Sequence, residues 1–250
     1  MTTAEFSNEF DTLVNTHFLK PPFGDQAYFV DTVFDEYEKS MFLTKAQEEI
    51  VKQLYKGELH IGLGFENTEE NRRYLEVLVK TTSITPQDTT KNGTVLIDNK
   101  TYICNLPNDL MFITYESVNL TSSTDKCIDG KNIIVVPTTQ DELYRIQQNP
   151  FKQANKRRAL RLDISSNSVE LITDYHIRAY IVRYIAKPEP IILKDLPDNL
   201  SINDWSTENE CKLDSILHRV ILEAAVKMAV ASRAPIVNAA QNAEQKQETK

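Results

Sequence analysis

Residues 178–185, Arg-Ala-Tyr-Ile-Val-Arg-Tyr-Ile, constrain the fold of this chain more than any other stretch. Tyr180, Val182 and Tyr184 alternate with Ile181, Arg183 and Ile185. At the two-residue period of a strand, both faces are therefore at least half apolar. Such a strand must be covered on both sides, by its own chain or by a neighbouring subunit. Lys187-Pro-Glu-Pro190 ends it, because proline cannot donate to a ladder. Upstream, Ala159–Ile164 and Val169–Thr173 read as two further strands joined by the tight turn Ser165-Ser-Asn-Ser168. Residues 151–193 are thus expected to form an extended hairpin able to lie against a partner.

The remaining elements arrange themselves around this β region. Residues 1–82 read as helical, with Phe34, Tyr37 and Met41 at helical spacing. Thr44-Lys-Ala-Gln47 has the form of a capping box. The helix it opens would carry Ala46, Ile50, Val51 and Leu54 on one face and stop at Gly57. A further helix after Thr68 would use Tyr74, Leu75, Leu78 and Val79. Residues 83–200 are β-rich and contain the hairpin arm. Thr94–Ile97 and Thr101–Cys104 flank Asp98-Asn-Lys100 as a short hairpin, and Leu110–Leu120 and Asn132–Val136 are strand-like. Thr139-Gln-Asp-Glu142 opens a short helix that ends near Asn149-Pro150. Residues 201–235 return to helix: Leu213, Ile216, Leu217, Val220, Ile221, Ala224, Ala225 and Met228 form one apolar stripe. Pro235 stops it, leaving 236–250 as a flexible tail with little to bury. The fold class is α+β: N-terminal helices, a central mostly antiparallel β region and a long C-terminal helix. The helices at the two chain ends are expected to pack together, since neither can cover its stripe alone.

Composition narrows the chemistry. The 250-residue chain carries a formal charge of −8, which disfavours a general phosphate-backbone binder. The charge is uneven: residues 1–80 hold 15 acids and 8 bases, whereas residues 81–200 hold 14 of each. No secretory signal opens the chain and no window has the ~18–20 apolar residues of a membrane span. Cys104, Cys127 and Cys211 are odd in number and lack a CxxC pair, which argues against a disulfide framework or structural zinc. His17, His60, His176 and His218 fall in four different segments without metal spacing. There is no G-x-S-x-G elbow and no Walker lysine loop, and six glycines are few for nucleotide loops. Gly62-Leu-Gly64 lacks the strand-to-helix setting that phosphate binding needs. The expectation is no catalytic residue, no metal and no cofactor.

The basic run Lys156-Arg-Arg158 with Arg161 is the best polar candidate. Three readings are open: salt bridges to an acidic neighbouring subunit, solvated surface charge, or contact with nucleic-acid phosphates. With Tyr180, Val182 and Tyr184 from the two-faced strand, these four bases make up the candidate subunit interface.

The chain also resembles virion structural proteins of crAss-like phages of Bacteroides-type bacteria. The resemblance lies in Asp141-Glu-Leu-Tyr-Arg, Asn149-Pro-Phe and Asn155-Lys-Arg-Arg-Ala-Leu-Arg-Leu-Asp163. It continues in Val169–Arg178, Tyr184–Leu193, the segment from Leu213 to Arg219 and Phe42–Ile50. What it implies is a head-to-tail connector or neck-tail ring component without enzymatic activity. Copies would form a homo-oligomeric ring, twelve-fold by analogy, beside the portal and neighbouring ring proteins. DNA would pass through the lumen without specific binding, and no membrane would be involved. The protein would be made in the host cytoplasm and reside in the virion. Another virion-associated or accessory phage protein, a tail or nucleic-acid-binding factor, is the alternative.

Overall fold

The computed structural model describes residues 1–18, 34–57, 69–88, 100–123, 125–197 and 199–248, with the side chains of the last helix described as far as Arg233. The expected Gly62-Leu-Gly64 turn and the first strand of the Thr94–Cys104 hairpin lie outside these residues, as does His60. The chain divides into two units, one from residues 1–77 with 188–250, the other from residues 78–187.

The first unit holds the helices α1 (Thr3–Phe18), α2 (Glu36–Lys56) and α3 (Glu69–Leu75), and the C-terminal helix α5 (Ser215–Glu248). Phe6, Phe10 and Val14 recur every four residues on α1 and are buried. α1 and α2 both pack on α5, as expected of the chain ends. Phe34 stands edge-on to Phe10 and Phe42, at centroid distances of 5.7 and 5.8 Å. Arg233 of α5 lies 3.8 Å above the same ring and reaches Glu38 of α2.

The capping box of α2 is Asp35 with Glu38, not Thr44 with Gln47. Thr44 sits inside the helix, and its buried hydroxyl serves another segment. It accepts from the Ile191 amide (3.1 Å) and donates to the Ile191 carbonyl (3.3 Å). One turn earlier, Ser40 Oγ accepts from the Leu193 amide at 3.0 Å. Two hydroxyls four residues apart therefore face backbone groups two residues apart on an extended strap, standing in for a neighbouring strand. Gly57 ends α2 in the left-handed conformation (φ 82°), as its position predicts.

α5 differs from expectation at both ends and in phase. It begins at Ser215 and runs through Pro235 to Glu248. Proline costs the helix one hydrogen bond, while the Ala-, Gln- and Glu-rich sequence beyond it retains helix propensity. Leu217, Ile221, Leu222, Ala225, Val226 and Ala229 are buried, whereas Ile216 is 62% exposed. The buried stripe is thus turned by about one residue, which brings His218 inward.

The second unit is a sheet of eight strands among the described residues. They are β1 (Val79–Ile84), β2 (Gln87–Asp88), β3 (Lys100–Asn105), β4 (Leu110–Thr121), β5 (Asn132–Pro137), β6 (Arg158–Ser165), β7 (Ser168–Thr173) and β8 (His176–Ala186). Their order is β1-β8-β4-β5-β6-β7-β3-β2. Only β5 and β6 pair in parallel, joined by the crossover helix α4 (Gln140–Gln147). β1 and β2 end the order on opposite sides yet are separated in sequence by Thr85-Pro86 alone. One stretch therefore pairs with β8, turns a corner at a residue without an amide proton, and pairs with β3. That closes the sheet into a barrel. The 2.9 Å bond between the Tyr102 hydroxyl on β3 and His176 Nδ1 on β8 joins strands far apart in the order, as closure requires.

The inner face supplies the core: Tyr102, Cys104, Val118, Leu120, Val169, Leu171, Tyr180, Val182 and Tyr184 converge. Each buried aliphatic there contributes about 1.5–3 kcal/mol. Opposite Asn119–Leu120 of β4, β8 advances by two residues, from Ala179 to Ile177; this bulge at Arg178 shifts the phase of β8, so that Ile177 also points inward. On the outer face, α4 covers β6 and β7 through Leu143, Leu160, Leu162 and Ile172. The hairpin expected over 151–193 forms, but it is built into the barrel wall: β6 pairs with β5 and β7, and β8 pairs with β1 and β4.

Candidate subunit-contact surfaces

The candidate interface residues separate into three environments. Tyr180, Val182 and Tyr184 lie on the inner face of β8 and are buried. The chain covers this face itself, so these three are residues of the barrel core. The opposite face of β8 is more open: Arg183 is exposed and Ile181 half-buried. Beside it on β4 and β5 stand Tyr115 and Ile134, each more than half exposed.

Arg161 is also inside. On β6, Ala159 and Arg161 point inward while Leu160 and Leu162 pack under α4. The Arg161 guanidinium pairs with the buried Glu116 carboxylate and with Asp163 at 3.1 Å. The second Glu116 oxygen accepts from the Tyr180 hydroxyl at 2.6 Å. Burial raises the Glu116 pKa, against the opposing pull of Tyr180 and Arg161. The Tyr180 pKa is raised as well, by burial first and then by Glu116. Arg161 is therefore the counter-charge of an internal polar cluster and is not part of the exposed surface of Lys156 and Arg157.

Arg158 is half-buried and spends its guanidinium locally, donating to the carbonyls of Phe151 (3.1 Å) and Lys152 (3.3 Å). It thereby holds the loop between α4 and β6. Lys156 and Arg157 are exposed on that loop. Phe151, 87% exposed, belongs to the same loop, and Tyr144 of α4 is 70% exposed; sequence reasoning left both out of the interface. Their available signal was isolation: neither has an apolar neighbour at the spacing of its own element. The surface that survives is thus an aromatic and basic loop, narrower than the sequence implied.

Cys104 and Cys211 are buried, and burial pushes their thiols up to about 12 and about 11. Cys127 is exposed. His176 bonds Tyr102, and His218 Nε2 donates to the Leu213 carbonyl at 3.0 Å. Among the described residues no three His, Cys, Asp or Glu side chains are grouped to hold a metal, and no helix is long and apolar enough to cross a membrane.

Across residues 1–241 the chain matches the family described as phage tail ring protein 3/4. This chain belongs to that family. Ring protein 3 of Bacteroides phage crAss001 is 46% identical over 234 residues, covering 93% of this chain and 96% of the relative. Ring protein 4/5 of the same phage is 34% identical over 242 residues and covers 93% of each chain. The resemblance to crAss-like phage structural proteins is thereby established. The match runs through both units.

Proposed function

We propose that this ring protein is a non-enzymatic component of a tailed-phage virion. In this reading its copies form an oligomeric ring in the portal, neck or tail region and help to line or brace the DNA exit channel. The observation that carries the reading is family membership over residues 1–241, with a 46% identical relative named as a ring protein. Net charge supports it, because a chain at −8 offers little general attraction to DNA sliding past. The partners in this reading are further copies, twelve by family analogy, with the portal and adjacent rings above and below.

Mass spectrometry of purified particles tests it: the chain should be present at a fixed ratio to the portal protein. Its absence from particles would reject the reading. The exposed Lys156 and Arg157 leave a nucleic-acid-binding accessory as the second reading. That would require a salt-sensitive DNA affinity lost on replacing Arg157 with Glu.

A further inference from the structure

Two stretches of this chain have opposite and unmixed charge. Leu143–Leu162 holds no acid and exposes Lys152, Lys156 and Arg157, and Asp195–Cys211 holds five acids and no base. Both expose aromatic surface. On the first, Phe151, Lys156 and Arg157 stand out on a loop fixed by Arg158 and by the mutual backbone bonds of Asn155 and Arg158. On the second, Trp205 is 39% exposed at the end of a tight turn.

That turn is well built. Ile202 and Trp205 exchange backbone bonds of 2.9 and 3.0 Å, and the Leu196 amide donates to the Ser206 carbonyl at 2.8 Å. Asn203 and Asp204 between them both adopt positive φ, the conformation of a hairpin turn that asparagine and aspartate tolerate best among non-glycine residues. The indole is therefore presented on a preorganised support, which lowers the ordering cost of a contact. Among the described residues, neither Lys156 and Arg157 on one stretch nor Asp204 and Glu210 on the other has an opposite charge within salt-bridge distance.

We infer that the acidic Trp205 turn of one copy docks on the basic Phe151–Arg157 loop of the next copy. The inference rests on the ring reading above and names its contact. A second copy is the favoured occupant because one chain carries both complementary surfaces. Two different surfaces meeting head to tail are what a closed ring requires, whereas a two-fold dimer pairs one surface with itself. Tryptophan and arginine are the residue types that dominate such contacts, and Arg157 can stack on the indole as well as pair with the acids.

Complementation tests it. Full-length K156E/R157E damages only the loop surface, and full-length W205A/E210K damages only the turn surface. K156E/R157E should keep the parent melting temperature, since both side chains are exposed; Trp205 is only 39% exposed, so if W205A/E210K melts lower, E210K alone carries the turn arm of the test. Each alone should lose the assembled mass in light scattering. Mixed in equal amounts, they still offer one intact contact per pair and should give a species of twice the 28.6 kDa chain mass. Raised salt should reverse that pairing. If both variants assemble like the parent, or both fall apart and fail to pair, the contact is wrong while the ring reading stands. A parent chain that stays monomeric removes both.

Discussion

The helical unit and the barrel solve the same problem in opposite ways. The barrel is one uninterrupted stretch, 78–187, and closes on itself through backbone pairing. The helical unit is assembled from both ends of the chain and is held by side chains: apolar stripes on α1, α2 and α5, and two hydroxyls that receive the 191–193 strap. Each unit also buries a cation. Lys39 in the helical unit is ringed by Ser7 (3.0 Å), Asp11 (2.7 Å) and Glu36 (3.1 Å). Arg161 in the barrel faces Glu116 and Asp163. Their charges diverge: the helical unit holds 25 acids and 14 bases, the barrel 11 acids and 14 bases, or −11 against +3. The two units thus differ in the sign of their net charge.

The largest effect that separates the units is truncation after Ser201. Removing α5 uncovers the stripes of α1 and α2, so the helical signal in circular dichroism should collapse. The barrel should keep its own melting transition. Simultaneous loss of both transitions would show that the units do not fold independently.

Within the barrel, Arg161→Met strands the Glu116 carboxylate in the interior and should cost about 3–5 kcal/mol of stability by denaturant melting. Adding Glu116→Gln should recover most of that loss. A neutral result for the single change would mean that the internal pair is solvated.

In the helical unit, Thr44→Val leaves the Ile191 amide and carbonyl without their buried partner, for about 1–3 kcal/mol. It should lower only the helical transition. An equal shift in the barrel transition would erase the distinction between backbone-closed and side-chain-held units.

The smallest effect is a pH dependence confined to the helical unit. Burial, the main cause, pushes the His218 pKa below its ordinary 6.5, with the Leu213 carbonyl acting the other way. The unfolded chain then binds the proton more readily than the folded one. Stability from this group is present above about pH 6.5 and is lost as pH falls toward the lower folded value. Melting at about pH 7.5 and 5.5 should show the drop, and His218→Gln should shrink it. Glu116 does not mask it, because its raised pKa favours the folded state on acidification.

The strands were legible because their signals are local. Alternation and turn residues located β6, β7 and β8 to within two residues. Closure was not legible, since it depends on β1 meeting β8 about a hundred residues later. The burial of part of the candidate interface was illegible for the same reason. Arg161 stands near Arg158 in sequence, but its partner Glu116 lies 45 residues away on another strand, so only the barrel reveals that it points inward. Tyr180, Val182 and Tyr184 showed correctly that a face must be covered and left open by what; their own chain covers it. Thr44 matched a capping pattern that also occurs inside helices, where its hydroxyl serves the strap instead.

The most direct test of the account is the mass of the purified chain in solution across a range of protein concentrations. Unlike surfaces meeting around a closed ring predict a single assembled mass, a fixed multiple of 28.6 kDa, that does not grow as concentration rises and that weakens with salt. A mass that climbs without limit, or a chain that remains monomeric at every concentration, would contradict it.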